Sequence, residues 1–152
     1  MLKVIKIIAM AIVGAFLSGC ERKSPTVVFN IPNNFRGVIA VIPNQTNGNP
    51  WLETNGVYDL RIPTNGLVRM KSWGPLAQWH KERALFQNGT AIPNGNPNAK
   101  DTVFFFQLAA MLDPGAWYFV GTQSERDSLG GSDQIRSMLT NRLDSSLGKQ
   151  GH

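Results

Sequence analysis

The chain has one cysteine, Cys20, and two histidines, His80 and His152, among its 152 residues. A single thiol excludes an internal disulfide. Two histidines without cysteine partners fall short of the four nitrogen or sulfur ligands of a structural zinc site and the three of a catalytic one. No metal is expected, and no cofactor. Ser72 and Ser124 lie outside any Gly-x-Ser-x-Gly elbow, and Asp127 to Asp133 departs from the calcium-loop pattern. Gly130-Gly131-Ser132 reads as a plain helix start; an anion held there is the weaker reading. No residue is assigned a catalytic role. Basic residues such as Arg36, Arg61, Arg69, Lys71, Lys81 and Arg83 are scattered, which argues against nucleic acid as a partner. The acidic residues, among them Glu53, Asp59, Glu82, Asp101, Asp113 and Glu125, are scattered too. An enzyme would need two of them to meet in one cleft.

The N-terminus is the most informative stretch. Lys3 and Lys6 precede an uncharged, mostly apolar run from Ile7 to Phe16. That run suits the core of an export signal and is shorter than the ~20 residues of a membrane span. Leu17-Ser18-Gly19-Cys20 follows. It resembles the lipobox of bacterial lipoproteins, Leu-[Ala/Ser]-[Gly/Ala]-Cys, at every position. The resemblance implies cleavage between Gly19 and Cys20, with diacylglyceryl on the Cys20 thiol and often acylation of the new amine. Two or more chains, at ~0.8 kcal/mol per buried methylene, would hold the protein stably on a membrane. Residues 1–19 are then a signal peptide and 20–25 a lipidated tether. Of fifteen basic residues the leader removes two, leaving thirteen against ten acidic ones. Glu21 follows Cys20 where inner-membrane retention in Gram-negative lipoproteins usually shows Asp. The resemblance therefore implies the outer membrane in a Gram-negative cell, and the outer face of the cytoplasmic membrane in a Gram-positive one.

The body is punctuated by Ile31-Pro32, Ile42-Pro43, Ile62-Pro63 and Ile92-Pro93. Proline cannot donate to a ladder and forces its predecessor into extended geometry. Three of the four pairs run on into Asn, which favours a turn. Each reads as strand, stop, turn. Between them, Val27, Phe29 and Ile31 alternate with Thr26, Val28 and Asn30, as do Tyr58, Leu60 and Ile62 with Val57, Asp59 and Arg61. Val38 to Ile42 is wholly apolar, as in a strand buried on both faces. Leu67 to Lys71 follows a turn at Thr64-Asn65-Gly66. Asn88-Gly89 joins two short runs as a hairpin, and Trp117 to Thr122 is a further strand. Residues 102–112 are mixed: Val103 to Phe106 favours a strand, and Leu108 to Leu112 favours a helix ended by Asp113-Pro114-Gly115. The first half is taken as strand. Ser132 caps an amphipathic helix over about 132–147, with Ile135, Met138, Leu139, Leu143 and Leu147 on one face. The expected architecture is mainly β: one sandwich-like domain over 26–124 and a C-terminal segment, 125–152, whose helix docks on it.

Trp51, Trp73 and Trp79 lie in polar, Pro- and Gly-rich segments. Such residues can cap the end of a sandwich, stack on sugars or fill a partner's pocket. Three further stretches resemble an uncharacterised family of small bacterial secreted domains and lipoproteins. They are Ile31-Pro32-x-x-Phe35-Arg36-Gly37; Gly56-Val57-Tyr58 with Ile62-Pro63-x-Asn65-Gly66; and Trp117 to Thr122. The resemblance covers roughly residues 27–122 and implies a fold, with no residue roles. The strand-and-turn grammar is also similar to transthyretin-like and carboxypeptidase-regulatory-like sandwiches. The expected function is a membrane-anchored envelope lipoprotein that acts as a non-enzymatic binding or structural module. Its partners would be the membrane, through the lipid on Cys20, and an envelope protein or cell-wall polymer. The alternative is an envelope-glycan hydrolase working through a carboxylate pair.

Overall fold

The computed structural model describes residues 24–95, 104–131 and 133–141, except 136 and 139. Among these residues nine strands form two mixed sheets that face each other as a sandwich. One sheet holds β1 (Thr26–Ile31), β3 (Glu53–Thr54), β4 (Val57–Arg61), β6 (Lys81–Phe86) and β7 (Ala91–Ile92), in the order β3-β4-β1-β6-β7. The other holds β2 (Gly37–Ile42), β5 (Leu67–Arg69), β8 (Phe105–Leu112) and β9 (Gly115–Gly121), in the order β5-β2-β9-β8. Strand β1 pairs in parallel with both β4 and β6, and β2 with β5. Parallel neighbours need a crossover. Here the returning strands of the opposite sheet supply it: β2 between β1 and β4, β5 between β4 and β6.

The four Ile-Pro pairs fall where strands end. Ile31 and Ile42 close β1 and β2, Ile62 follows β4, and Ile92 closes β7. At the Asn65-Gly66 turn, Gly66 has φ +71°, and a Cβ there would press on the Val38 carbonyl at 2.7 Å. The Asn65 side chain accepts from Leu67 N at 3.0 Å. Turn chemistry thus sends the chain from one sheet to the other.

The core lies between the sheets. Val27, Phe29 and Ile31 face Ile39, Val41, Tyr118 and Val120, all buried. Phe29 sits at its centre, with ring centroids 4.8 Å from Phe106 and 4.6 Å from Tyr118. Alternate residues of β2 (Val38, Ala40 and Ile42) point to the outer face of their sheet, with Trp117. Ile135 is buried against them and Leu129 packs alongside. This explains the wholly apolar run of β2: one face meets the opposite sheet, the other a helix. The described residues between 133 and 141 are helical. Ser132 and the part of the expected helix beyond 141 lie outside the described residues.

One expectation is corrected. Leu108 to Leu112 is strand, since β8 pairs with β9 as far as Leu112↔Gly115, with an irregularity between Leu108 and Ala110. Asp113-Pro114 accordingly forms a hairpin turn in place of a helix stop. A separate short helix that the sequence analysis did not assign, α1 (Gln123–Ser128), precedes the C-terminal one. Thr122 accepts from Glu125 N, and Glu125 accepts in return from Thr122 N at 2.8 Å, a capping box. Arg36 pairs with Glu125 and lies over the Phe104 ring, 4.6 Å from its centroid. Hydrogen bonding from the Thr122 backbone, then from Arg36, holds the Glu125 carboxyl below its usual 4.5.

Candidate functional site at the N-terminal end of the sandwich

Because β1, β4 and β6 run in parallel, their first residues share one end of the sandwich. Two hydrogen bonds stitch that end together: Lys81 N donates to Pro25 O at 2.8 Å and Thr26 N to Gly56 O at 2.9 Å. The segment before β6 therefore lies beside the point where the chain enters the domain. It contains a 3₁₀ turn, Gly74–Ala77, followed by Gln78, Trp79 and His80.

The three tryptophans of the sequence analysis do not form one patch. Trp51 and Trp73 are half-buried against the core. Trp51 donates from Nε1 to Ser72 O at 2.9 Å and meets Tyr58 edge-on. Gly74, at φ +50°, lets the backbone pass directly against the Trp51 indole, where a Cβ would collide. Trp79 is different: 85 % of its surface is exposed. Cys20 and Gly19 lie outside the described residues.

Trp79 forms the ridge between two open clefts. One, of about 500 Å³, is lined by Leu76, Gln78, His80, Glu82 and Asn94. The other, of about 450 Å³, is lined by Ser24, Pro25, Glu53, Gly56 and Tyr58. In the first, Glu82 Oε1 receives Tyr118 OH at 2.9 Å and His80 Nε2 lies 3.0 Å from it. His80 Nδ1 faces Gln78 O at 2.7 Å, and the Asn94 amide donates to the Glu82 carbonyl at 2.7 Å. Burial, then the Glu82 carboxylate, pushes the Tyr118 hydroxyl far above its ordinary 10.0. In the second cleft, Glu53 accepts from Gly56 N at 3.0 Å and from Tyr58 OH at 3.1 Å. That bond to Glu53 raises the Tyr58 hydroxyl as well.

The polar groups are engaged with each other. Both His80 ring nitrogens lie against acceptor oxygens, which leaves neither aimed at a reacting atom in the cleft. Glu53 and Glu82 share one row of the sheet through Tyr58 and Val27. Two strands lie between them, they line different clefts, and each is bound to its own tyrosine, Glu53 to Tyr58 and Glu82 to Tyr118. Asp59 lies in a cleft with neither of them, and Glu125 and Asp127 are in α1. Ser124 is in α1 too. Among the described residues no cluster of three His, Cys, Asp or Glu comes together, and no helix is long and apolar enough to cross a membrane. The network joining His80, Glu82 and Tyr118 across the two sheets was not visible in the sequence. The only signal was a polar pair, His80 and Glu82, two residues apart at a strand start.

No protein-family model matches the chain, and no curated protein matches it. One solved structure is similar, that of a candidate lipoprotein from Bacillus anthracis. It has 10% sequence identity and a TM-score of 0.47, over 80% of this chain and 95% of the other.

Proposed function

We propose that this chain is an envelope lipoprotein, anchored through acyl groups on Cys20, whose sandwich domain serves as a non-enzymatic interaction module. The observation that carries this reading is Trp79, exposed between two clefts at the end of the domain where the tether enters. An indole held out of the core has no packing role there, and an aromatic of that kind is the usual anchor of a recognition surface. The lipobox Leu17-Ser18-Gly19-Cys20 and the resemblance of residues 27–122 to secreted β domains support the same reading. The engagement of Glu53 and Glu82 by different tyrosines in different clefts speaks against a carboxylate-pair hydrolase. In a Gram-negative cell, Glu21 in place of Asp after Cys20 favours the periplasmic side of the outer membrane; in a Gram-positive one the anchor leaves the domain on the outer face of the cytoplasmic membrane.

Metabolic labelling with a tagged fatty acid tests the anchor. Label is expected on the wild type and absent from Cys20→Ala, and the mature wild-type chain should begin at Cys20 by mass spectrometry. An unlabelled wild-type protein retaining residues 1–19 would sink the reading. For the interaction surface, a photo-reactive phenylalanine analogue at position 79 should crosslink to an envelope component, and one at exposed Asp59 should not.

A further inference from the structure

The topology gathers exposed apolar side chains at the tethered end. Strand β7 runs back toward that end, antiparallel to β6, and β8 follows it in parallel through the Asn94↔Phe106 bridge. Leu108 is the register partner of Tyr118, whose hydroxyl reaches Glu82, and Met111 lies nearer still to the β8–β9 turn. Leu108 is 40 % exposed and Met111 53 %. Of the five large apolar side chains that stand exposed among the described residues, three (Trp79, Leu108 and Met111) thus belong to this end.

The tether is short. Four peptide steps separate Cys20 from Ser24, a reach of at most about 14 Å. Ser24 and Pro25 line the same cleft as Trp79. An acyl chain on Cys20 therefore keeps Trp79 close to the bilayer whatever path the tether takes. Indole rings favour the headgroup region, with an apolar body toward the acyl chains and an N–H toward water. A lone tryptophan with two aliphatic neighbours would bind a membrane weakly from solution. A tether of this length makes the contact intramolecular, and weak contacts then suffice.

We infer that the tethered end of the sandwich lies on the bilayer that holds Cys20, with Trp79, Leu108 and Met111 in the headgroup region. The inference rests on the lipoprotein reading above and names the component that this surface meets. Its consequence is orientation: the opposite end, with the turns at Asn65-Gly66 and Asn88-Gly89, faces away from the membrane. The charges near the contact are nearly balanced. Lys81 and His80 stand beside Glu53 and Glu82, and the tether adds Arg22 and Lys23 to Glu21. Insertion of apolar groups, rather than attraction of a polybasic patch to anionic lipid, would hold the domain down.

The acylated protein, reconstituted into phosphatidylcholine vesicles with brominated acyl chains, tests this. Tryptophan emission should be quenched in the wild type and return to the level of unbrominated vesicles in Trp79→Phe. The Leu108→Ser/Met111→Ser variant should show reduced quenching. Neither 1 M salt nor added phosphatidylglycerol should change the wild-type result, and a long Gly-Ser spacer inserted before Ser24 should weaken it. Co-flotation of wild type and Trp79→Phe with the vesicles reports the acyl anchor separately. Protein that floats without quenching, or with quenching unchanged in Trp79→Phe, overturns the docking and leaves the anchor standing. Floating protein whose Trp79 emission ignores brominated lipid but shifts with soluble peptidoglycan fragments would make the end a glycan surface, which also overturns it. A wild-type chain with no acyl group on Cys20 removes both readings.

Discussion

Tyr118 shows how one side chain joins the sheets. Its ring stacks on Phe106 in the core, with centroids 5.1 Å apart, and its hydroxyl crosses to Glu82 on the opposite sheet. A partly buried hydrogen bond to a carboxylate contributes up to about 1.5–3 kcal/mol. Tyr118→Phe keeps the ring and removes that bond, so a loss of about this size is expected in denaturant unfolding at pH 7. The pH dependence distinguishes this from a packing defect. The folded hydroxyl titrates far above the unfolded value of 10.0. The folded state therefore keeps a proton that the unfolded chain releases, and stability falls as pH rises past about 10. The wild type should lose stability from there upward, and the gap between it and Tyr118→Phe should narrow. A gap that stays constant from pH 8 to pH 11 would show that the hydroxyl contributes nothing through its proton. Tyr58→Phe is the control: its bond to Glu53 is solvent-exposed, and its removal should matter less.

At the scale of elements, α1 is short enough that its cap decides whether it forms. Thr122→Ala removes the acceptor for Glu125 N and should cost ~0.5–2 kcal/mol. Protection of the α1 amides from hydrogen exchange is the measurement, because a peripheral six-residue helix can open without global unfolding. The Glu125 carboxyl titrates below its usual 4.5 in the folded protein. Its contribution is complete above that value and is lost as pH falls through the folded pKa, so α1 should loosen on acidification and Glu125→Gln should abolish the pH dependence. The signal for this helix, Thr-x-x-Glu, stood in the sequence at Thr122 to Glu125. No apolar periodicity accompanies it, because none of the α1 residues is buried. The strands were legible for the opposite reason. Alternation in β1 and β4, and the stops at Ile31-Pro32 and Ile62-Pro63, follow from burial and proline chemistry that act locally. Strand β8 misled because Leu108 to Leu112 has good helix formers. Pairing with β9 decided its conformation, and that partner lies across a turn that local propensity does not report. The site was legible only in part: Trp79 could be picked out, but its separation from Trp51 and Trp73 depends on the core those two residues cover.

For the whole molecule, the arrangement of strands carries a prediction about cooperativity. No sheet is built from one continuous stretch of chain. Each parallel pair, β1–β4, β1–β6 and β2–β5, encloses a strand of the other sheet. Neither sheet can form without fixing the other, so the sandwich should unfold in a single transition. Phe29 is the residue on which both sheets converge, through Phe106 and Tyr118 on one side and β4 and β6 on the other. Truncating a buried phenylalanine to alanine costs about 3–5 kcal/mol, against a total of ~5–15 kcal/mol for a domain. Phe29→Ala should therefore lower the urea midpoint by a large fraction. Far-UV circular dichroism, which reports both sheets, and the fluorescence of Trp117 in a background with Trp51, Trp73 and Trp79 replaced by Phe, which reports the outer face of the β5-β2-β9-β8 sheet, should still move together. If the two probes separate, one sheet survives the loss of the other, and the interleaved chain path does not make the sandwich one cooperative unit.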